Sequence, residues 1–122
     1  MKHTLPTIDF SFSALEPVID AKTVEIHYTK HHAAYLDNFT KIVDKYPTLE
    51  AKSAEEILRE INTLEVSEED RQKLRNFGGG FVNHNIYWNI MGSVKQIDEK
   101  LVEKITTQYG SVDNMKKEFN TI

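Results

Sequence analysis

Three consecutive glycines, Gly78, Gly79 and Gly80, interrupt what is otherwise the longest amphipathic stretch of the chain. Around them Leu74, Phe77, Phe81, His84, Trp88 and Met91 recur in alternating steps of three and four. That spacing keeps side chains on one face of a helix. Each glycine weakens a helix by about 1 kcal/mol relative to alanine, a cost tolerated where something must come close to the backbone. His84 lies in the middle of the same stripe, and a buried imidazole needs a hydrogen-bond partner or a metal. The segment therefore predicts a helix packed closely on a neighbour and built around a polar group.

The neighbour is legible upstream. Asp20 can cap a helix that runs towards Tyr46, where Pro47 ends it. Its apolar positions are Val24, Tyr28, Tyr35, Phe39, Ile42 and Tyr46. Ser53 and Glu56 make a capping box for a short helix to about Ile61. Ser67 and Asp70 are a weaker cap for the glycine-interrupted helix, because aspartate is short for the reciprocal bond; Gly92 is its expected end. A further helix spans residues 98–109, with Leu101, Val102, Ile105 and Tyr109 inward and Gly110 closing it. Ser111 opens another, carrying Met115, Phe119 and Ile122. No stretch alternates as a strand does. The expectation is an all-α chain in which helices near 20–46 and 68–91 form a long antiparallel hairpin. Residues 1–92 read as that hairpin domain, and 93–122 as a linker and the first helices of an incomplete second domain. The ending at Ile122, on an inward stripe, reads as a fragment or as a half-length protein completed by a partner.

Composition narrows the chemistry. The 122 residues carry a net charge of -4 with no basic patch, which argues against nucleic acid as a partner. There is no cysteine, so disulfides, thiolate zinc sites and cysteine nucleophiles are excluded. Any metal must be held by His, Asp, Glu or water. No long apolar run marks a signal peptide or membrane span, and a cytoplasmic location is the default expectation.

His27, His31 and Tyr35 stand at i, i+4 and i+8 and so share a face of the first helix, with His32 expected to point elsewhere. A histidine pair at i, i+4 can chelate a metal, as in zinc peptidases. The glutamate of that motif is missing, since Ile26 precedes His27 and Tyr28 follows it. Antiparallel packing offers a second arrangement, in which His27 and His84 each give one ligand to a metal between the helices. The plainer alternative is a hydrogen-bonded core histidine at 84 and a surface pair at 27 and 31. His3 and His32 are not expected to be ligands.

Residues 27–35 (His-Tyr-Thr-Lys-His-His-Ala-Ala-Tyr) and 76–88 (Asn-Phe-Gly-Gly-Gly-Phe-Val-Asn-His-Asn-Ile-Tyr-Trp) resemble the iron/manganese superoxide dismutase family. So do Leu5-Pro6, the run from Ala14 to Pro17, and Tyr109-Gly110-Ser111. The resemblance implies an enzyme that converts superoxide to dioxygen and hydrogen peroxide on manganese or iron, one ion per chain in the complete protein. By position, His27 and His84 match the family's two N-terminal metal ligands. His31 and Tyr35 match the pair at the mouth of the substrate funnel, Tyr35 as proton donor and His31 as relay. Asn83, Tyr87 and Trp88 match packing positions around the second ligand. Phe81 stands where many manganese forms carry histidine. Gly80 stands where iron forms often carry a glutamine, so its absence resembles the manganese arrangement. Members of the family continue into an α/β C-terminal domain that supplies an aspartate and a third histidine. The resemblance thus leaves this chain with two of four protein ligands, little activity alone, and a missing half or a homo-oligomer as partner. The alternative is a non-catalytic helical module holding a structural metal such as zinc, or a self-associating hairpin.

Overall fold

The computed structural model describes residues 3–93 and 97–122, and all regular structure among them is helical. Helix α1 occupies residues 21–43, α2 is Ala54–Arg59, and α3 occupies residues 68–89. Helices α4 (Glu99–Tyr109) and α5 (Val112–Asn120) pack on each other. The beginning of α1 meets the end of α3, and the end of α1 meets its beginning, so the two long helices form the expected antiparallel hairpin.

The caps follow the sequence. Asp20 Oδ1 accepts from the Thr23 N–H at 2.9 Å, and Oδ2 accepts from the Thr23 hydroxyl at 2.6 Å. Ser53 and Glu56 close a reciprocal box at 3.2 and 2.7 Å. At α3 the Ser67 hydroxyl accepts from the Asp70 N–H at 3.1 Å. The Asp70 carboxylate does not reach back to Ser67. It accepts instead from Lys45 Nζ at 3.0 Å and the Tyr46 hydroxyl at 2.8 Å, tying the start of α3 to the chain just beyond α1. Arg71 donates to the carbonyls of Ile61 and Leu64 and pins the connection beside it.

Two features depart from a uniform 3.6-residue period. His27–His32 and Leu74–Gly78 are π-helical turns, set between α-helical segments at Ala21–Ile26 and Ala33–Val43 in α1, and at Glu68–Lys73 and Gly79–Asn89 in α3. In such a turn the bond runs from i to i+5, so residues five apart come to share a face. Helix α3 closes at Asn89 rather than near Gly92. Gly92 does not take a positive φ; among the described residues Gly110 does, at 81°, and its N–H donates to the Thr106 carbonyl at 2.8 Å.

The apolar core fills the closed end of the hairpin. Phe39, Ile57 and Leu74 are fully buried there, joined by Ile42, Val43, Leu49, Ala54, Ile61, Leu64 and Phe81. Two of the three glycines make room for α1. A Cβ on Gly78 would stand 2.8 Å from the Phe39 ring, and one on Gly80 would meet the Tyr35 ring, whereas one on Gly79 would meet nothing within 4 Å. In the α4–α5 pair Val102, Ile105, Tyr109 and Met115 are half-buried, but Leu101, Phe119 and Ile122 are exposed, contrary to the inward stripe expected of them. Two short helices joined by one tight turn cover only the seam between them. No helix among the described residues is long and apolar enough to cross a membrane.

Two predictions follow from these contacts. Gly79→Ala should stabilise the chain by up to about 1 kcal/mol through helix propensity, while Gly78→Ala should destabilise it because Phe39 must move. Urea unfolding of both variants separates the two effects, and equal shifts would contradict the glycine assignment. The second prediction concerns acid. Hydrogen bonding from Tyr46, then from Lys45, holds the Asp70 carboxyl below its ordinary 3.8. The native state therefore binds that proton less readily than the unfolded chain, and the contribution is present above about pH 3.8 and lost as pH falls through the lower native value. Asp70→Asn should be less stable than the parent at pH 6 and lose that disadvantage in strong acid, as read by unfolding midpoints across pH.

Candidate metal centre

At the open end of the hairpin the apolar stripes give way to histidine and aromatic rings. His27 Nε2 lies 2.9 Å from His84 Nε2, one nitrogen from each long helix. The two rings meet edge to face at 82° with centroids 4.8 Å apart. His84 Nδ1 donates to the Gly80 carbonyl at 2.7 Å, since a carbonyl only accepts. The proton of His84 is thereby fixed on Nδ1, and its Nε2 presents a lone pair to His27. Burial, then the nearby His84 and His31, lowers the affinity of His27 for a second proton, which keeps that imidazole neutral. Two imidazole Nε2 atoms converging from separate helices, His27 donating to His84, become a donor set suited to a first-row metal ion once the shared proton leaves. Nitrogens each about 2.1 Å from one ion can stand at most about 4.2 Å apart, and this pair falls inside that limit.

His31 and Tyr35 come to the same place. With Thr23, Ile26, His27 and His84 they line a cavity of about 490 Å³. The His31 ring lies 6.2 Å from His27, and the Tyr35 ring lies 5.2 Å from His84. His31 is exposed and Tyr35 half-buried. Tyr35 also lines a second, more polar cavity with Arg75, Asn76 and Asn83, and so stands between the two. Lys30 is exposed and is not part of the lining of either. Tyr87 and Trp88 sit against His27, with ring centroids at 5.1 and 5.0 Å. Among the described residues no group of three or more His, Asp or Glu side chains is placed to hold a metal ion.

His32 corrects the sequence reading. It does not point away from the hairpin but is fully buried inside it. Its ring stacks on His84 at 20° with centroids 5.1 Å apart, and its Nδ1 accepts from the Trp88 indole at 3.0 Å. The π-helical turn brings His32, five residues on, to the side of the helix that His27 occupies. A signal for this was present. His32 falls between Tyr28 and Tyr35 in steps of four and three, which is the rhythm of the apolar stripe itself. Burial, then His84, pushes the His32 imidazole down to about 4, so the ring is neutral at ordinary pH. His3 is also drawn in, half-buried with its ring 5.0 Å from Phe39.

The fold is thus an α-hairpin that brings one histidine from each arm to a shared point. A family model described as the α-hairpin domain of iron/manganese superoxide dismutases matches residues 2–92. The chain belongs to the iron/manganese superoxide dismutase family. It is 37% identical over 122 residues to a manganese superoxide dismutase of Listeria monocytogenes, covering 98% of this chain and 59% of that protein. It is 34% identical over 119 residues to one of Yersinia enterocolitica, covering 98% and 56%. Against one of Leptolyngbya boryana the figures are 36% over 118 residues, 95% and 47%. The chain thus spans about half the length of the curated relatives it matches.

The Tyr35–Gly80 contact is testable. Gly80→Ala should displace the Tyr35 ring and destabilise the hairpin by about 1–3 kcal/mol. Aromatic NMR signals of Tyr35 that stay unchanged in the variant would show that the ring does not depend on the missing Cβ.

Proposed function

We propose that this chain supplies the helical half of a superoxide dismutase, with His27 and His84 as two of the protein ligands to a manganese or iron ion. The observation that carries the reading is the approach of the two Nε2 atoms from different helices to 2.9 Å. Family membership and the manganese dismutases among the relatives support it. Bound there, manganese or iron would supply a one-electron couple that oxidises one superoxide to dioxygen and reduces a second, with two protons, to hydrogen peroxide.

The remaining roles fall to side chains of the chain itself. His27 and His84 turn their Nε2 atoms towards one point, His84 oriented by the Gly80 carbonyl and its Nε2 accepting from the His27 Nε2–H that a bound metal would displace. Tyr35 lines the cavity beside His84, where its hydroxyl is placed to act as the proton donor. His31, exposed at the same cavity, passes protons between solvent and that hydroxyl. Lys30, on the surface beside His31, contributes positive charge to the approach of an anionic substrate. Residues 1–92 serve as one domain and 93–122 as the start of a second; the packing of α4 on α5 supports that division. The other ligands come from a C-terminal half or from another subunit.

Titration of the chain with Mn2+, followed by the EPR signal of the free ion, tests the ligands. His27→Ala and His84→Ala should each abolish saturable binding, and a His84→Ala chain that still takes up one ion would refute the assignment. Tyr35→Phe, placed in a chain with its complementary half, should keep the metal and slow superoxide removal by a factor of up to about 100. The 122-residue chain alone should bind weakly and show little dismutase activity per bound metal, because two imidazoles leave most coordination positions to water.

A further inference from the structure

His32 has no role in the chemistry proposed above, yet it is fully buried beside the centre, and among the described residues Asp70 alone joins it as a buried polar side chain. Its neighbours are four residues on one face of α3. The Phe81 ring lies 5.5 Å away, the His84 ring 5.1 Å away, and the Trp88 indole is hydrogen-bonded to Nδ1. The fourth is Asn85. Positions 81, 84, 85 and 88 are i, i+3, i+4 and i+7, the four sides of a hole that receives a knob from a facing helix. Trp88 Nε1 can only donate, so the proton of the His32 ring sits on Nε2. That N–H has no well-formed acceptor, and neither has Asn85 Oδ1 a donor; both atoms are buried and complementary in type.

The choice of residue is informative. Phenylalanine would bring a larger flat ring and leave the Trp88 N–H without an acceptor at a site only 4% exposed. An aliphatic side chain would offer no flat surface to His84. Histidine does both. The bond from Nδ1 to the Gly80 carbonyl fixes one edge of the His84 ring, but a single hydrogen bond leaves the ring plane free to swing about it. A ring lying at 20° against its face removes that freedom.

We propose that His32 is a positioning residue for the metal centre, seated in the hole formed by Phe81, His84, Asn85 and Trp88 and holding the His84 ring so that its Nε2 faces His27. The inference rests on the reading that His27 and His84 hold the metal. A ligand whose ring can swing aims its lone pair away from its partner part of the time, and binding weakens accordingly. The π-helical turn provides the means, since it brings the ligand His27 and its helper His32 to one side of α1.

The test uses the 122-residue chain with Co2+ as the probe. Nitrogen-edited NMR of the metal-free chain reads the tautomer of His32 and the order of the His84 ring, and visible absorption reads Co2+ affinity. The proton of His32 should be found on Nε2. His32→Gln, which keeps polarity and loses the flat ring, should bind Co2+ about 10–100-fold more weakly. His32→Phe, which restores a flat ring, should recover much of that loss even though it leaves Trp88 unpaired. Affinities within twofold of the parent in both folded variants, or a His32 proton on Nδ1, would overturn the proposal. If His32→Gln does not fold, Trp88→Phe decides, because it leaves the ring in place and removes its anchor: broadened or doubled His84 signals support positioning, and a single unchanged set overturns it. A His84→Ala chain that binds Co2+ as tightly as the parent would defeat the metal reading instead, and the NMR arm would still decide whether His32 orders His84.

Discussion

Everything at the open end of this hairpin depends on how closely α1 and α3 cross. Helices that carry ordinary side chains at their contact run 8–10 Å apart. Here the ring of Phe39 lies over Gly78 and that of Tyr35 over Gly80, so two aromatic side chains of α1 lie directly on the backbone of α3. The helix propensity lost to three glycines, about 3 kcal/mol, is similar to the return from fully burying one such ring. In stability the arrangement roughly breaks even. What it produces is geometry: at this separation imidazoles from opposite helices can meet nitrogen to nitrogen.

The hairpin is chemically divided along its length. Aliphatic and phenyl groups fill the end near α2, and the far end holds aromatic and imidazole rings in contact, among them His27, His32, His84, Tyr87 and Trp88. Polar atoms there are mostly matched. The Gly80 carbonyl takes the His84 proton, and Trp88 supplies the proton that His32 Nδ1 lacks. Such a cluster gains little from burial alone, since each nitrogen must be satisfied to avoid a penalty of about 1–3 kcal/mol. Its position next to a well-packed aliphatic core lets the fold carry that burden.

Much of this was legible in the residues. The stripes, the caps at Asp20, Ser53 and Ser67, and the glycine close approach all follow from local rules, and the structure agrees with them. The convergence of His27 and His84 was legible because antiparallel packing of two stripes leaves few alternatives. His32 carried its own signal, four residues after Tyr28 and three before Tyr35, which a reading built on the i, i+4 spacing of His27 and His31 passes over; the π-helical turn, which that spacing does not foresee, then lets His27 and His32 share a side. The Asp70 contacts were missed for a different reason. A capping pattern speaks only of its own helix, and the partners of Asp70, Lys45 and Tyr46, lie beyond the end of another.

Those contacts make the closed end of the hairpin a fulcrum. From Asp70 to His84 is about 20 Å of helix at 1.5 Å per residue. Over such an arm a tilt of three degrees displaces the far end by about 1 Å, a large fraction of the gap between the two Nε2 atoms. A shift in how the Asp70 carboxylate joins Lys45 and Tyr46 to α3 would thus be magnified at a histidine it never touches. The length of the arm makes the crossing of the two helices a mechanical variable of the centre.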